Sequence, residues 1–519
     1  MTRWEAATAL LLASPPGFLT PSRTARMLAA WLRWRRHPVG ALVAAAARYP
    51  ERAAIVDDEG SLTFAELEAR SNAVARAWRE REIGPGTTVG LLCRDSRLFF
   101  DSSVAAQKLG ADLVYVNVAF SPPQVAGVVE DEGIDALVYD DSLADAASEA
   151  NPRIVVTEDE LRAAAAGGDP RPVSPPARAG RVVVLTSGTT GRPKGAVRAG
   201  RPNALQGAAL VASLPVMAGD TTVVAAPLFH AFGLFGANLA LALSSTVVVR
   251  RRFDPETVLA DVARHRARVL IAVPIMLQRL LAIPPGTIDR NDLSSLRVVL
   301  CGGAALSGEL ASRFMDRFGD VLYNVYGSSE AAMATVAGPR DLRRAPGTTG
   351  RPAPGVVVRI ADQRGRPLPA GVSGRVLVGS GMRMDQYSGG GGKDVVNGLV
   401  VTGDLGHFDR WGRLYIDGRE DDMIVSGGEN VFPGEVEEVL TTHPGVEEAA
   451  VVGVQDVEFG QRLKAFVVRA HGSAVTEDEL KSYAHDRLAR FKTPREVVFV
   501  AALPRTGTGK VLKRELGTR

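Results

Sequence analysis

A β-branched run, Val182 to Leu185, leads directly into Thr186-Ser187-Gly188-Thr189-Thr190-Gly191-Arg192-Pro193-Lys194-Gly195. Those ten residues hold four hydroxyls, three glycines and one lysine. Glycine lets the backbone fold back closely, so the N–H groups and hydroxyls of such a loop can converge on an anion. Lysine adds a mobile positive charge suited to phosphate oxygens. The order Lys194-Gly195 separates the loop from a Walker loop, which needs Gly-Lys-Ser/Thr. Further along, Pro227-Leu228-Phe229-His230-Ala231-Phe232-Gly233 sets a histidine between aromatic rings. Taken alone it fits a satisfied core histidine as well as a site residue. In Cys301-Gly302-Gly303-Ala304 the small side chains let a flat ring or an acyl chain reach the backbone, and a plain strand-to-helix turn would use the same residues. Tyr326-Gly327-Ser328-Ser329-Glu330 ends on a carboxylate, which sits stably beside phosphate oxygens only with a hard cation between them. Near the C-terminus, Pro504-Arg505-Thr506-Gly507-Thr508-Gly509-Lys510 places a lysine, by default a solvated charge, on a Gly/Thr loop able to carry it into a crevice.

These segments, with Thr402-Gly403-Asp404 and the string from Gly418-Arg419 through Asp421 to Gly427-Gly428, resemble the adenylate-forming superfamily of acyl-CoA synthetases, luciferases and peptide-synthetase adenylation domains. All its motifs are present in order, from about residue 45 to the C-terminus; the string from Gly418 resembles acyl-CoA synthetases in particular, and the chain is most similar to the fatty acyl-CoA synthetases among them. Leu185 stands where many members carry an aromatic residue, and Ser329 stands where threonine is usual. The resemblance implies Lys510, Glu330 and His230 as catalytic residues. It implies phosphate contacts from Thr186, Ser187, Gly188, Thr189, Thr190, Gly191 and Lys194, and magnesium held by Glu330 and Thr186. Tyr326 would stack on adenine beside Gly327 and Ser328, with Ser329 at the phosphate and Gly303 and Ala304 at the close backbone approach. Asp404 would accept from the ribose hydroxyls with help from Arg419. Asp421 matches the hinge of a rotating C-terminal domain, and Gly427 and Gly428 match the edge of a pantetheine tunnel.

The elements that must position these residues follow an α/β order. Short apolar strands at Ala53–Val56, Val223–Ala226, Thr246–Val249, Val269–Val273, Arg297–Cys301 and Leu322–Val325 alternate with helical stretches, Ser61–Arg81 and Leu306–Phe318 among them. Several strands end in a polar or glycine-rich cluster. Ligands of open α/β sheets bind beyond the carboxyl ends of strands, so these clusters predict one shared crevice. Ala163–Gly180 reads as a linker, and Gly389–Gly392 as a mobile loop. After about residue 345, strands at Val356–Ile360, Gly374–Val378, Gly398–Thr402 and Arg413–Asp417 predict a small antiparallel sheet or barrel. Beyond 422 comes an α+β module, with helices at Pro433–Thr441 and at Thr476–Arg490, the latter opened by a Thr476/Glu479 capping box. The expected fold is therefore α/β: a large N-terminal domain of layered α/β subdomains plus a small β-barrel, and a small mobile α+β C-terminal domain. The boundaries expected are an N-terminal extension with helical character at 1–47, an AMP-binding domain at 48–420 and the lysine-bearing domain at 421–519.

A chain of 519 residues should form more than one domain. With 46% hydrophobic and 23% charged residues it reads as an ordinary globular protein, and a net charge of +3 argues against a nucleic-acid binder. Two cysteines, Cys93 and Cys301, provide no disulfide framework, which fits a cytoplasmic setting. No apolar run is long enough to span a bilayer, and Glu5 spoils the N-terminus as a signal peptide. Residues 24–36 mix Met27, Leu28, Trp31, Leu32 and Trp34 with four arginines, which suits either a helix on the protein's own body or peripheral membrane contact. A homodimer is a further expectation. The function expected is that of an ATP-dependent acyl-CoA synthetase, with ATP, Mg2+ and coenzyme A. It would join AMP to a medium- or long-chain fatty acid, release pyrophosphate and pass the acyl group to the CoA thiol. The alternatives are loading of a carrier-protein phosphopantetheine, an aryl-acid CoA ligase, and a nucleotide-binding scaffold without catalysis. Phe229, Phe232, Leu234 and Phe235 suit an apolar acid better than an amino acid, whose ammonium would need a buried carboxylate.

Overall fold

The computed structural model describes residues 20–34, 37–186, 194–198, 213–328, 332–380, 386–387, 394–426, 429–456, 460–506 and 509–517. Two large sheets carry the first two-thirds of the chain. In the first, the parallel strands Val182–Thr186, Asp112–Tyr115, Thr88–Leu92, Ala136–Tyr139 and Ile154–Val156 lie in that order, and Lys194–Arg198 adds antiparallel to Val182–Thr186. The two strands pair with Thr186 opposite Lys194. The second sheet has nine strands. Across it run Arg351–Pro352, Ala332–Ala337, Leu322–Ser328, Val298–Gly302, Val269–Ala272, Thr221–Val224, Thr246–Val248, Ala53–Asp57 and Gly60–Thr63. The five strands from Leu322–Ser328 to Thr246–Val248 are mutually parallel, so their carboxyl ends open on one edge. Their central residues, among them Val223, Val247, Leu270, Ile271, Val299 and Leu300, are aliphatic and buried, as cover on both faces demands.

Local sequence explains most boundaries. Thr63 caps helix Phe64–Glu80 reciprocally with Glu66, and Asp254 and Ser307 cap Pro255–Arg264 and Gly308–Phe318. Three expectations shift. The helix expected over Ser61–Arg81 gives its first turn to strand Gly60–Thr63, because the turn at Asp58–Gly60 pairs Leu62 back onto Ile55. The linker expected over Ala163–Gly180 starts as the end of helix Glu158–Gly167, capped by Thr157 and Glu160. Residues 21–48 form two helices, α1 (Pro21–Trp34) and α2 (Gly40–Arg48), and Trp34, Val39, Val43 and Tyr49 join the main hydrophobic core. A boundary at 47 therefore falls inside a helix of the large domain.

A five-stranded antiparallel sheet occupies the place expected for the small barrel, with Val357–Ala361, Gly374–Gly379, Leu399–Phe408 and Val395–Val396 in order and Leu414–Arg419 paired to Leu399–Phe408. The C-terminal domain builds its own sheet from Ile424–Ser426, Glu429–Val431, Val446–Asp456, Gly460–Arg469 and Glu496–Phe499. Successive residues point to opposite faces: Val451 and Val467 join a cluster beneath helices Pro433–Thr441 and Glu477–His485, while Ala450, Val452 and Phe466 pack with Leu503 and Leu516. Every residue of both clusters lies at or beyond Ile424.

Candidate active site

The strand ends of the nine-stranded sheet bring three of the chemical clusters to one edge. Pro227–His230 turns directly after strand Thr221–Val224, and His230 is the N-cap residue of helix Ala231–Ala242. The turn is tight: Gly233 sits so close under the Ala226 and Pro227 carbonyls that a Cβ there would collide with both. Phe229 packs on His230, ring centroids 4.4 Å apart. Two residues along, Phe232 lies against the end of strand Val298–Gly302. A Cβ on Gly302 would meet the Phe232 ring at 3.0 Å and the Val325 carbonyl oxygen at 2.9 Å. Gly303 follows in the left-handed region with φ +81°, facing Val273, and the half-buried Ala304 comes next. The result is a glycine floor beneath an aromatic wall.

His230 has Nε2 fully enclosed and without a hydrogen-bond partner among the described residues. Burial, reinforced by the charge of Lys510, pushes its pKa down to about 4, so the imidazole is neutral at physiological pH. Gly509, beside Lys510, presses on the large domain at Ile275, which brings the Lys510 loop to the cleft. That loop is braced internally. Thr506 N–H donates to the Lys510 carbonyl at 2.7 Å, and Lys510 N–H donates to Thr506 Oγ1 at 3.1 Å. Arg505 ties the loop to Glu448 at 2.8 Å. Gly509, with φ +78°, presses on Ile275 of helix Pro274–Leu281 so closely that a Cβ would overlap the Ile275 side chain.

A second grouping adjoins the first through strand Leu322–Ser328, which runs on through Tyr326, Gly327 and Ser328 instead of stopping at Val325. Tyr326 donates its hydroxyl to Asp404 Oδ2 at 2.6 Å. Burial and the Asp404 charge raise the phenol well above its usual range and keep it a donor. Antiparallel pairing sets Arg419 opposite Asp404, and Arg419 donates to Asp404 Oδ1 at 3.3 Å and to Asp421 Oδ1 at 2.9 Å. Asp404 N–H donates in turn to Thr402 Oγ1 at 3.1 Å. One arginine thus joins the Asp404 carboxylate to the expected hinge residue.

Comparison with known proteins fits this geometry. The AMP-binding enzyme family matches residues 42–388, and the AMP-binding enzyme C-terminal domain matches residues 435–510. The chain belongs to the AMP-binding enzyme family. It is an adenylate-forming acid–thiol ligase that works on ATP. A feruloyl-CoA synthase of Amycolatopsis sp is 35% identical over 479 residues, covering 91% of this chain and 96% of the relative. A fatty acid–[acyl-carrier-protein] ligase, ScoC of Streptomyces coeruleorubidus, is 32% identical, covering 91% of this chain and 94% of the relative. Among solved structures, o-succinylbenzoate CoA synthetase of Bacillus subtilis with its acyl-adenylate intermediate has a TM-score of 0.82 at 28% identity, covering 92% of this chain and 97% of that one. The expected likeness to fatty acyl-CoA synthetases is therefore coarser than supposed, because these relatives are named for aryl as well as fatty acids.

For this AMP-binding enzyme, several expected site residues lie outside the described residues: Ser187, Gly188, Thr189, Thr190, Gly191, Ser329, Glu330, Gly427 and Gly428, together with the Gly389–Gly392 run. Of Thr186 and Lys194, the backbone alone is described. Among the described residues no cluster of three His, Cys, Asp or Glu side chains is arranged to hold a metal. One residue of the site is absent from the sequence reading. Asp95, 8% exposed, accepts the Leu228 N–H at 3.0 Å and so holds the turn leading to His230. Burial raises its pKa to about 7. The signal was available, since Cys93-Arg94-Asp95-Ser96 is another polar cluster directly after a strand.

Proposed function

We propose that the protein converts an apolar carboxylic acid into its CoA thioester through an acyl-adenylate, and that planar aryl acids are the preferred class. The single observation behind the chemistry is the meeting of Lys510 with the His230 cleft, which joins the two domains around one reaction centre. The acid's carboxylate lies at His230, where the neutral imidazole offers an unpartnered Nε2. It attacks the α-phosphate of ATP and expels pyrophosphate. Charge repulsion dominates that barrier, so positioned cations carry the catalysis. Lys510 supplies one, and the Thr186–Lys194 loop holds the phosphates. Glu330 and Thr186 would hold magnesium, which would supply charge neutralisation at the phosphates. Tyr326 flanks adenine, and Asp404 with Arg419 takes the ribose hydroxyls. The C-terminal domain then rotates about Asp421, withdrawing Lys510 and bringing Gly427 and Gly428 to the thiol arm, a closure step of the kind that often limits turnover.

The aryl preference rests on the relatives named for aryl acids, and Phe232 packed on Gly302 gives the cleft an apolar aromatic wall that fits such an acid. The feruloyl-CoA relative supports it. A fatty acid is the second reading, favoured by the ScoC relative, as is a carrier protein as thiol donor. The deciding experiment incubates protein, ATP and magnesium with acids from acetate to long-chain and arylpropenoic acids, with CoA or a carrier protein. Pyrophosphate is followed, and products are identified by mass. Aryl-CoA formed at the highest kcat/KM is the expected result. Long-chain acyl-CoA as the best product would move the assignment to fatty acids, and adenylate without CoA thioester would move it to a carrier protein. Lys510→Ala should abolish adenylation, by about 10²–10³-fold on the scale of other preorganised donors, while sparing thioester formation from supplied acyl-adenylate.

A further inference from the structure

Nine large hydrophobic side chains are exposed among the described residues, and three of them, Leu28, Trp31 and Leu32 at 49%, 43% and 49%, share the fourteen residues of α1. At 3.6 residues per turn, Trp31, Leu28, Leu32, Ala25 and Ala29 form an arc of roughly 160°. All five are exposed, and Arg33 and Arg26, also exposed, border the arc on one side. The opposite side holds α1 to the protein. Trp34 is buried and meets His37 edge-on, Ala30 packs on the main core, and Arg23 pairs with Glu51 at 3.0 Å. An amphipathic surface helix normally turns its apolar stripe inward. This one turns it outward.

We propose that α1 is a docking face for an anionic lipid surface, lying in the headgroup plane with Leu28, Trp31 and Leu32 submerged. The helix contains no acidic residue, and Arg26 has no acidic partner among the described residues. Arginines bordering an apolar arc that includes a tryptophan are the composition of interfacial helices. A second copy of the chain fits less well, because two-fold pairing would bring arginine borders together with no carboxylate on either helix to meet them. Apolar acids partition into bilayers, so docking would place the cleft where its substrate concentrates. That consequence rests on the proposed substrate class, whereas the binding does not.

The test floats the full-length protein with vesicles of phosphatidylcholine alone or mixed with phosphatidylglycerol, at low and high salt. It compares wild type with the Leu28→Ser/Trp31→Ser/Leu32→Ser triple variant and with Arg26→Glu/Arg33→Glu. Wild type should bind the mixed vesicles and be released by salt. The arginine variant should bind at least about tenfold more weakly, at about 1 kcal/mol per basic residue near the surface, and the triple variant should not bind. Absence of wild-type binding, or unchanged binding by the triple variant, overturns the proposal. So does a wild-type dimer in solution that the triple variant converts to monomer. Turnover of a water-soluble arylpropenoic acid should be equal in all three proteins. If none turns it over, the substrate reading fails while the vesicle result stands or falls by itself.

Discussion

At the scale of single residues, His230 and Asp95 lie two hydrogen bonds apart along the Pro227–His230 turn and differ in what their titration does. His230 is held neutral by burial and by the Lys510 charge. Asp95 binds a proton more tightly folded than unfolded, its pKa rising from 3.8 to about 7. A raised acid stabilises the fold most below its unfolded value, and the advantage disappears as pH climbs through 3.8 to about 7. Above that the wild type carries a buried carboxylate. Asp95→Asn keeps an oxygen for the Leu228 N–H and removes the charge. It should therefore match wild type at pH 4 and be more stable at pH 8, by up to about 4 kcal/mol at 1.36 kcal/mol per pKa unit. Thermal or denaturant melts at the two values check this, and a pH-independent difference would contradict it.

At the scale of elements, loops and registers do the positioning. Gly509 is needed for its left-handed φ and for its approach to Ile275, so Gly509→Ala should keep the Lys510 loop from seating. Adenylation should fall by at least about tenfold, which corresponds to 1.4 kcal/mol, with thioester formation from supplied acyl-adenylate unchanged. Single-turnover assays of the two half-reactions separate them. The clusters at strand ends were legible in the sequence because each carries its own composition, glycine, hydroxyl and charge beside an apolar strand. The link from Tyr326 through Asp404 and Arg419 to Asp421 was not, because it depends on an antiparallel register that sets Asp404 opposite Arg419 and on a hydroxyl arriving from 78 residues away. The polar cluster holding Asp95 was visible after its strand, but its hold on the Leu228 N–H was not, because that partner lies 133 residues further on. Strand Gly60–Thr63 was absorbed into the neighbouring helix because three of its four residues also fit a helical start, and pairing with Ala53–Asp57 decided the matter.

At the scale of the whole molecule, the lysine and the cleft it serves belong to bodies with separate hydrophobic clusters, the C-terminal pair beginning at Ile424 and the main one ending at Leu342. Between them stand the small antiparallel sheet and a short connection past Arg419 and Asp421, with Gly418 close against the Phe432 ring. A chain built this way has no single cooperative core, so differential scanning calorimetry should resolve more than one endotherm. The smaller, earlier one should correspond to the C-terminal domain. A non-hydrolysable bisubstrate mimic that spans His230, Asp404 and Lys510 should drive the endotherms together, since it binds only when both bodies are native. If the endotherms stay apart under saturating mimic, the two bodies do not close on it as one. The same partition makes the connection past Asp421 a natural recombination point. The C-terminal domain could be exchanged for that of a relative, with Gly509 and Arg505 kept, and the acid choice proposed for the cleft around His230 and Phe232 would remain with the larger body.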